Sequence, residues 1–390
     1  MEREHIEYDV IIVGAGPSGL SAACRLKQLK PKTSIAIVEK GSEVGAHILS
    51  GAVLEPTALD ELFPNWKDLG APVNTAVSQD ELYFFTKTKS IKIPHFLAPK
   101  TMKNNGNFII SLGNLCRWLA KQAERLGVDI FPGFPASSLL YSNDGSVSGI
   151  ITGDMGIDAK NEKKSSYTQG MEIRGKYTLL SEGCRGHLGK EVIEKFSLDN
   201  GCDPQHYGIG IKELWSIPDN LHKSGLVIHS AGWPLSESKS NGGGFLYHAD
   251  DCQVMVGLIT DLSYTNPHLN PYEEFQRYKH HPEISKYLTG GKRISYGAKA
   301  LAKGGIQSQP KMDFPGGILI GDNAGTLNNA KIKGIHCAMK SGMVAAESIV
   351  KSMDTIKIDP NTEYFSTAYK KSWADQELVL QRNFGPAQHK

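Results

Sequence analysis

From Tyr8 the chain runs through YDVIIV, then GAGPSG, then an Ala/Leu-rich stretch to Leu29, then TSIAIVEK. A short apolar run, a glycine turn, a segment with helical spacing and a second apolar run predict strand, turn, helix and strand, one βαβ unit. Helices are expected over residues 49–62 and 114–126, the second with Leu115, Leu119, Ala123 and Leu126 spaced to bury one face. Between them, residues 80–105 place Tyr83, Phe84, Phe85, Ile91 and Ile93 among Lys87, Lys89 and Lys92, then continue as IPHFLAPKTM, which predicts strands and a loop. A hairpin-like stretch is expected over 128–151, a solvated loop over the polar insert 154–170, and a strand over 175–180. From Tyr207 to about Ser295 the runs become β-rich (VIHSAGWPL, GGGFLYHAD, CQVMVGLIT) with turn residues between them. GGILIGDNAG and a helix starting near Gly334 then return the chain to its first pattern. The fold class expected is α/β: a discontinuous Rossmann-type domain with an inserted antiparallel β-sheet domain.

The chemistry sits at the punctuation. Gly14, Gly16 and Gly19 form GxGxxG directly between strand and helix, with Pro17 at the helix start and Glu39 and Lys40 closing the second strand. In that context the first glycine allows the turn, the second admits a pyrophosphate and the third permits close helix–strand packing. Free N–H groups and the helix dipole favour the phosphates there, and Glu39 is placed to accept from ribose hydroxyls. Gly321, Asp322 and Gly325, in GDNAG after the strand GGILI, resemble the flavoprotein segment that contacts the ribityl chain and second phosphate, so FAD is expected rather than NAD. The N-terminus of the following helix, with Lys333 and Gly334, would face the pyrimidine end of the flavin and stabilise charge developing there on reduction. A solvated basic turn is the other reading of Lys331 and Lys333. His336 is expected to be structural.

Composition narrows the partners. The 390 residues are 40% hydrophobic and carry a net charge of +2, which allows a substantial core and gives no reason to expect nucleic acid. No run reaches the roughly 18 apolar residues of a spanning helix. Residues 1–8 hold three acidic residues and read as a mature, bacterial start. The six cysteines lie far apart without a CxxC pair, so they are expected to be reduced thiols, mostly core-filling, and no metal site is expected.

Longer runs carry a resemblance: VGAGPSGLSAACRLKQL, EKGSEVGAHILSGAVLEP, ELFPNWKDLGAP, SEGCRGHLGK, YGIGIKELW, GGGFLYH, EEFQRYKHHP, GGKRISYGAKAL and KIKGIHCAMKSG, spread from Tyr8 to Asn383. The chain resembles the electron transfer flavoprotein–ubiquinone oxidoreductases. That resemblance implies a peripheral membrane enzyme, on the cytoplasmic face of a bacterial inner membrane, that takes electrons from reduced electron transfer flavoprotein and passes them to ubiquinone. It places Ser50 and Gly51 beside the flavin ring and the quinone head group on Gly242 and Gly243. A glycine-rich hairpin turn is the alternative for that pair. It also makes Ile91, Ile93, Phe96, Leu97 and Met102 membrane contacts, an assignment that flanking lysines support independently and against which a buried β-hairpin stands. The implied division is an FAD-binding domain over 1–79, 106–200 and 306–390, and a quinone-binding, membrane-facing domain over 80–105 and 201–305.

Two departures accompany the resemblance. The family's [4Fe-4S] cluster is held by four cysteines of a C-terminal ferredoxin-like domain, whose ligands these 390 residues lack, so a separate ferredoxin-like protein is expected to supply the relay, or the chain is a fragment. Asp322 and Ala330 stand where the family usually has Cys and Pro. A geranylgeranyl-reductase-like flavoenzyme is the alternative activity, and an incomplete FAD-binding chain is the other.

Overall fold

The computed structural model describes residues 3–48, 51–354 and 363–384. Its first layer is an eight-stranded sheet whose main path runs Asp313–Phe314, Gly317–Leu319, Glu172–Leu180, β1 (His5–Val13), β2 (Ile35–Glu39) and Asp129–Pro132. From Gly317–Leu319 to Asp129–Pro132 the neighbours are parallel. Parallel strands are covered on both faces, and Val10, Ile11, Ile12 and Ile35 to Val38 are accordingly all buried. Each such Val or Ile side chain contributes about 1.5–3 kcal/mol.

Helix α1 (Pro17–Leu29) and the helix Ile335–Met353 lie against each other on this sheet. Gly342 lets their backbones close: a Cβ there would stand 2.2 Å from the Ser18 carbonyl oxygen. A segment of the C-terminal third is thus packed onto the first helix of the chain.

The second layer is a seven-stranded sheet in the order Lys292–Ala302, Tyr207–Ser216, Gln253–Asp261, Gly242–His248, Leu226–Gly232, Gln79–Phe85 and Ser90–Ile93. It is antiparallel except where Leu226–Gly232 runs parallel to Gln79–Phe85, because that strand comes from a different part of the chain. Phe275, Tyr278, Ile284 and Tyr287, from the helices Pro271–Lys279 and Pro282–Leu288, pack with Phe85, Ile228, Leu246 and Val256 on one face. The other face looks toward Gly51 and the first layer, with Met255 against Gly51.

Several local expectations change. Residues 52–54 form a strand and only Thr57–Leu62 is helical, since Pro56 suits a helix start and not an interior. Leu49, the expected start of that helix, lies outside the described residues. The insert 154–170 is a short exposed hairpin, Met155–Ile157 with Lys163–Thr168, rather than a loop. Asp129–Pro132 joins the parallel sheet, and the hairpin follows it, Ala136–Tyr141 with Val147–Thr152. The helix expected over 114–126 spans Leu112–Arg125, capped by the Ser111 hydroxyl, which accepts from Asn114 N–H at 3.3 Å. Gly242–His248 is an interior strand, and Gly242 and Gly243 at its start pair with Thr260 and Ile259 on one side, so they are strand residues and not a hairpin turn.

Candidate functional site

At the dinucleotide end, Gly14 has φ +105°, a conformation glycine tolerates, and a Cβ there would meet the Ser181 carbonyl oxygen at 2.4 Å. Gly19 is equally crowded, 2.2 Å from the Gly14 carbonyl oxygen. A Cβ on Gly16, in contrast, would meet nothing within 4 Å. Two of the three glycines are filled by protein and the third opens onto free space at the N-terminus of α1, which has no side-chain cap. Glu39 receives Ala15 N–H at 3.0 Å and Gly41 N–H at 2.7 Å, so its carboxylate is fixed by the turn while further lone pairs stay available. Pro17 opens α1, and Lys40 is exposed beside Glu39.

The opposite end is formed by three cationic or acidic groups that strand pairing and turns bring in, Lys333 buried and Lys212 and Asp322 half-buried. Gly51 has φ +97°, and its carbonyl accepts from Lys212 Nζ at 2.8 Å. Burial, then the neighbouring Lys299, lowers the Lys212 ammonium to about 8. Asp322 lies in the turn between the strand Gly317–Leu319 and the helix Ile335–Met353, flanked by Gly321 and by Gly325 at φ +71°. Burial raises its carboxyl to about 6, and its Oδ1 is buried without a hydrogen-bond partner. Lys333 is buried, not a solvated turn residue, and burial brings its ammonium to about 8. Gly334 caps the helix behind it.

An open Gly16, an orphaned carboxylate oxygen on Asp322 and two desolvated ammoniums fit the pyrophosphate, ribityl hydroxyls and ring of FAD. Gly14, Gly16, Gly19, Asp322, Lys212 and Lys333 would hold it. Ser50 lies outside the described residues.

Beneath the Lys331–Gly334 turn sits a charged cluster. Lys331 Nζ donates to Glu377 at 2.6 Å and to Glu55 at 3.0 Å, and His336, fully buried and stacked on Trp373, is 3.2 Å from Glu377. Burial opposes ionisation of Glu377, but His336 and Lys331 together pull it down to about 2. His336, Cys337 and Glu377 bring ligand atoms within 4.8 Å of one another. The Lys331 ammonium already compensates the carboxylate, and the cluster ties the helix Trp373–Leu380 to the turn that carries Lys333.

In the second sheet, register sets what shares a face. Lys212 pairs with Gly257, Leu214 with Met255, Met255 with Tyr247, Val227 with Tyr247, His229 with Leu82, and Leu82 with Ile93. One side of the sheet therefore leads from the Gly51 loop to the segment Pro94–Met102. There Ile91, Phe96 and Leu97 are 58%, 79% and 63% exposed, whereas Ile93 and Met102 are half-buried and line a cleft. Gly242 and Gly243 lie on the central strand, opposite Thr260 and Ile259.

Lys212, His229, Tyr247 and Glu377 are absent from the sequence-level candidates. Lys212 and His229 had a signal: each interrupts a strand at an inward position, Lys212 in YGIGIKELW and His229 in LVIHSAG. Glu377 had none, since its partners lie more than 40 residues away.

A family model described as ETF-QO, ubiquinone-binding, matches residues 207–301, and one described as an NAD(P)-binding Rossmann-like domain matches 12–79. The electron transfer flavoprotein-ubiquinone oxidoreductase of Pseudomonas aeruginosa is 60% identical over 100% of this chain and 72% of that protein. A probable one from Acinetobacter baylyi is 55% identical, with the same two coverages of 100% and 72%. The mitochondrial one of Mus musculus is 48% identical over 100% of this chain and 65% of that protein. Among solved structures, a geranylgeranyl bacteriochlorophyll reductase-like protein from Thermoplasma acidophilum superposes with a TM-score of 0.74 at 18% identity, covering 99% of this chain and 87% of that one. A flavin-dependent brominase gives 0.65 at 15% identity over 99% and 90%. These likenesses in structure show the fold.

Proposed function

The chain belongs to the electron transfer flavoprotein-ubiquinone oxidoreductases, and from that premise we propose that it is the FAD-dependent oxidoreductase that accepts electrons from reduced electron transfer flavoprotein and passes them to ubiquinone. The observation that carries this reading is the coincidence of the ubiquinone-binding match, 207–301, with the strands whose inner side runs from Lys212 at the Gly51 loop to the exposed Pro94–Met102 segment.

FAD supplies reversible two-electron chemistry when bound. The chain's own residues bind and tune. Backbone N–H groups at the start of α1 would receive the pyrophosphate, Glu39 the adenosine ribose, and Asp322 a ribityl hydroxyl. Lys212, Lys333 and the N-terminus of Ile335–Met353 would place positive potential near a bound ring and so favour its reduced, anionic form, an effect enlarged by low local dielectric. Backbone groups of Gly242 and Gly243 meet the quinone. Ser50 would approach the ring with Gly51.

Ile91, Phe96 and Leu97 would enter the acyl boundary of a bacterial inner membrane from its cytoplasmic face, while Lys87, Lys89, Lys100 and Lys103 meet anionic headgroups. Among the described residues no helix is long and apolar enough to cross a membrane. Among these residues the six cysteines are dispersed, so the family's [4Fe-4S] cluster would be held by a ferredoxin-like component outside them.

The test is reconstitution with FAD and assay of ubiquinone-1 reduction by reduced electron transfer flavoprotein, with and without an added ferredoxin-like protein. Turnover in either arm supports the reading. No turnover in both arms, with FAD bound stoichiometrically, contradicts it.

A further inference from the structure

The seven-stranded sheet has two edges of different character. At one, Ser90–Ile93 leads into Pro94–Met102, the segment proposed above to meet lipid. At the other, six strand spacings and so about 29 Å away, Lys292–Ala302 pairs with Tyr207–Ser216 and has no strand on its outer side among the described residues. Every residue from Lys292 to Tyr296 is exposed. Lysine and arginine commonly guard an edge strand against stray pairing. Guarding does not account for Ile294 and Tyr296, which stand in the same strand at 53% and 71% exposure.

The strand also carries a surplus of positive charge. Arg293 shares the Glu213 carboxylate with Lys279, at 3.3 Å and 2.8 Å, and neither Lys292 nor Lys299 has a carboxylate partner among the described residues. Such a surplus steers an acidic surface toward it. The Arg293 guanidinium lies over the Tyr296 ring at 5.0 Å, and arginine and tyrosine are the residue types that dominate the energetic centres of protein interfaces. The far end of the strand reaches the flavin site. The Ala302 backbone N–H donates to the Asp322 carboxylate, and Lys299 pairs with Gly210 on the side of the sheet that carries Lys212. A protein seated on this edge would therefore be close to the flavin and on the opposite side of the sheet from the lipid edge, where a soluble partner has access.

We propose that the outer edge of Lys292–Ala302, centred on Arg293 and Tyr296, is the docking surface for electron transfer flavoprotein, which meets it with an acidic, partly apolar face. This rests on the reading above, in which that flavoprotein is the electron donor and Pro94–Met102 the lipid edge. Docking adds no bond-making step: it brings the reduced donor to the water-facing side of the flavin site, while quinone is served from the other edge.

The experiment compares FAD-loaded wild type with Tyr296→Ala, Lys292→Glu and Lys164→Glu, each first checked for stoichiometric FAD and an unchanged Tm. The second-order rate constant for flavin bleaching by reduced electron transfer flavoprotein should fall about 10-fold in Tyr296→Ala and about 3–10-fold in Lys292→Glu, the second effect shrinking as salt is raised. The Kd for the oxidised donor should rise in parallel. Lys164→Glu makes the same charge change on the distant exposed strand Lys163–Thr168 and should leave both quantities unchanged. Reoxidation of dithionite-reduced flavin by ubiquinone-1 should be equal in all four proteins. An unchanged bleaching rate constant in Tyr296→Ala overturns the proposal. So does a wild-type dimer that Tyr296→Ala converts to a monomer in sedimentation, which would assign the edge to a second copy of the chain. A wild-type flavin that reduced electron transfer flavoprotein does not bleach would instead refute the reading on which the proposal rests.

Discussion

Gly16 and Asp322 make opposite use of an interior space. At Gly16 the missing side chain leaves room that protein does not fill, so Gly16→Val should fold and yet lose FAD, read as an absent yellow flavin spectrum after purification. Stoichiometric flavin in that variant would contradict the pyrophosphate assignment. At Asp322 a half-buried acid keeps one oxygen buried and unpartnered, and desolvation raises its carboxyl from 3.8 to about 6. A raised folded-state value means that the stability contribution is full below pH 3.8 and is lost as pH rises through 6. Asp322→Asn should therefore stabilise the FAD-free protein at pH 7, by about 1–3 kcal/mol, and flatten its change in Tm between pH 4 and 6. It should also weaken FAD, because the oxygen that costs stability in the empty protein is the one proposed to receive a ribityl hydroxyl. The glycines and Asp322 were legible because their motifs are contiguous. The hydrogen-bonded pair of His229 and Tyr247 was not, because the two residues are 18 apart and meet only through strand pairing.

At the scale of elements, periodicity recovered β1, α1, β2 and the helix Leu112–Arg125, where one apolar pattern spans the whole element. It misread residues 52–54 and 154–170, where a proline and a polar pairing decide the outcome and burial does not. The segment after Ser90–Ile93 shows how an element can serve two surroundings: Ile93 and Met102 turn into the cleft, while Phe96 and Leu97 point out. Each outward side chain buried in acyl chains would contribute about 1.5–3 kcal/mol, and each nearby lysine about 1 kcal/mol on anionic lipid. Phe96→Asp/Leu97→Asp should abolish co-sedimentation with anionic vesicles, and wild-type binding should fade as salt is raised. Equal sedimentation of both proteins would place any membrane contact elsewhere. A second element-scale prediction concerns Trp373–Leu380. Glu377→Gln removes the carboxylate between Lys331 and His336, leaving a half-buried ammonium with Glu55 as its remaining carboxylate. Thermal stability should fall by several degrees, and the flavin potential should shift with it as the Lys333 turn loosens. A lower Tm with an unmoved potential would make the cluster purely structural.

Among the described residues two large sheets dominate, with the proposed cofactor ring between them. The Rossmann-type half was readable from its first forty residues. The second sheet was readable as β-rich, but its parallel pair was not, because Gln79–Phe85 reaches it from more than 140 residues away. That joint matters for function: it places the exposed Pro94–Met102 segment on the same sheet as Lys212, so a quinone entering from the lipid side and a flavin held by the first layer would share one wall. The proposed activity requires electrons to cross that wall. The most direct measurement is an anaerobic stopped-flow experiment in which the FAD-loaded chain is mixed first with reduced electron transfer flavoprotein and then with ubiquinone-1, while the flavin absorbance is followed. Bleaching in the first mix and recovery in the second, with quinol formed in proportion, is the predicted result; a flavin that bleaches but is not reoxidised by ubiquinone-1 would contradict it.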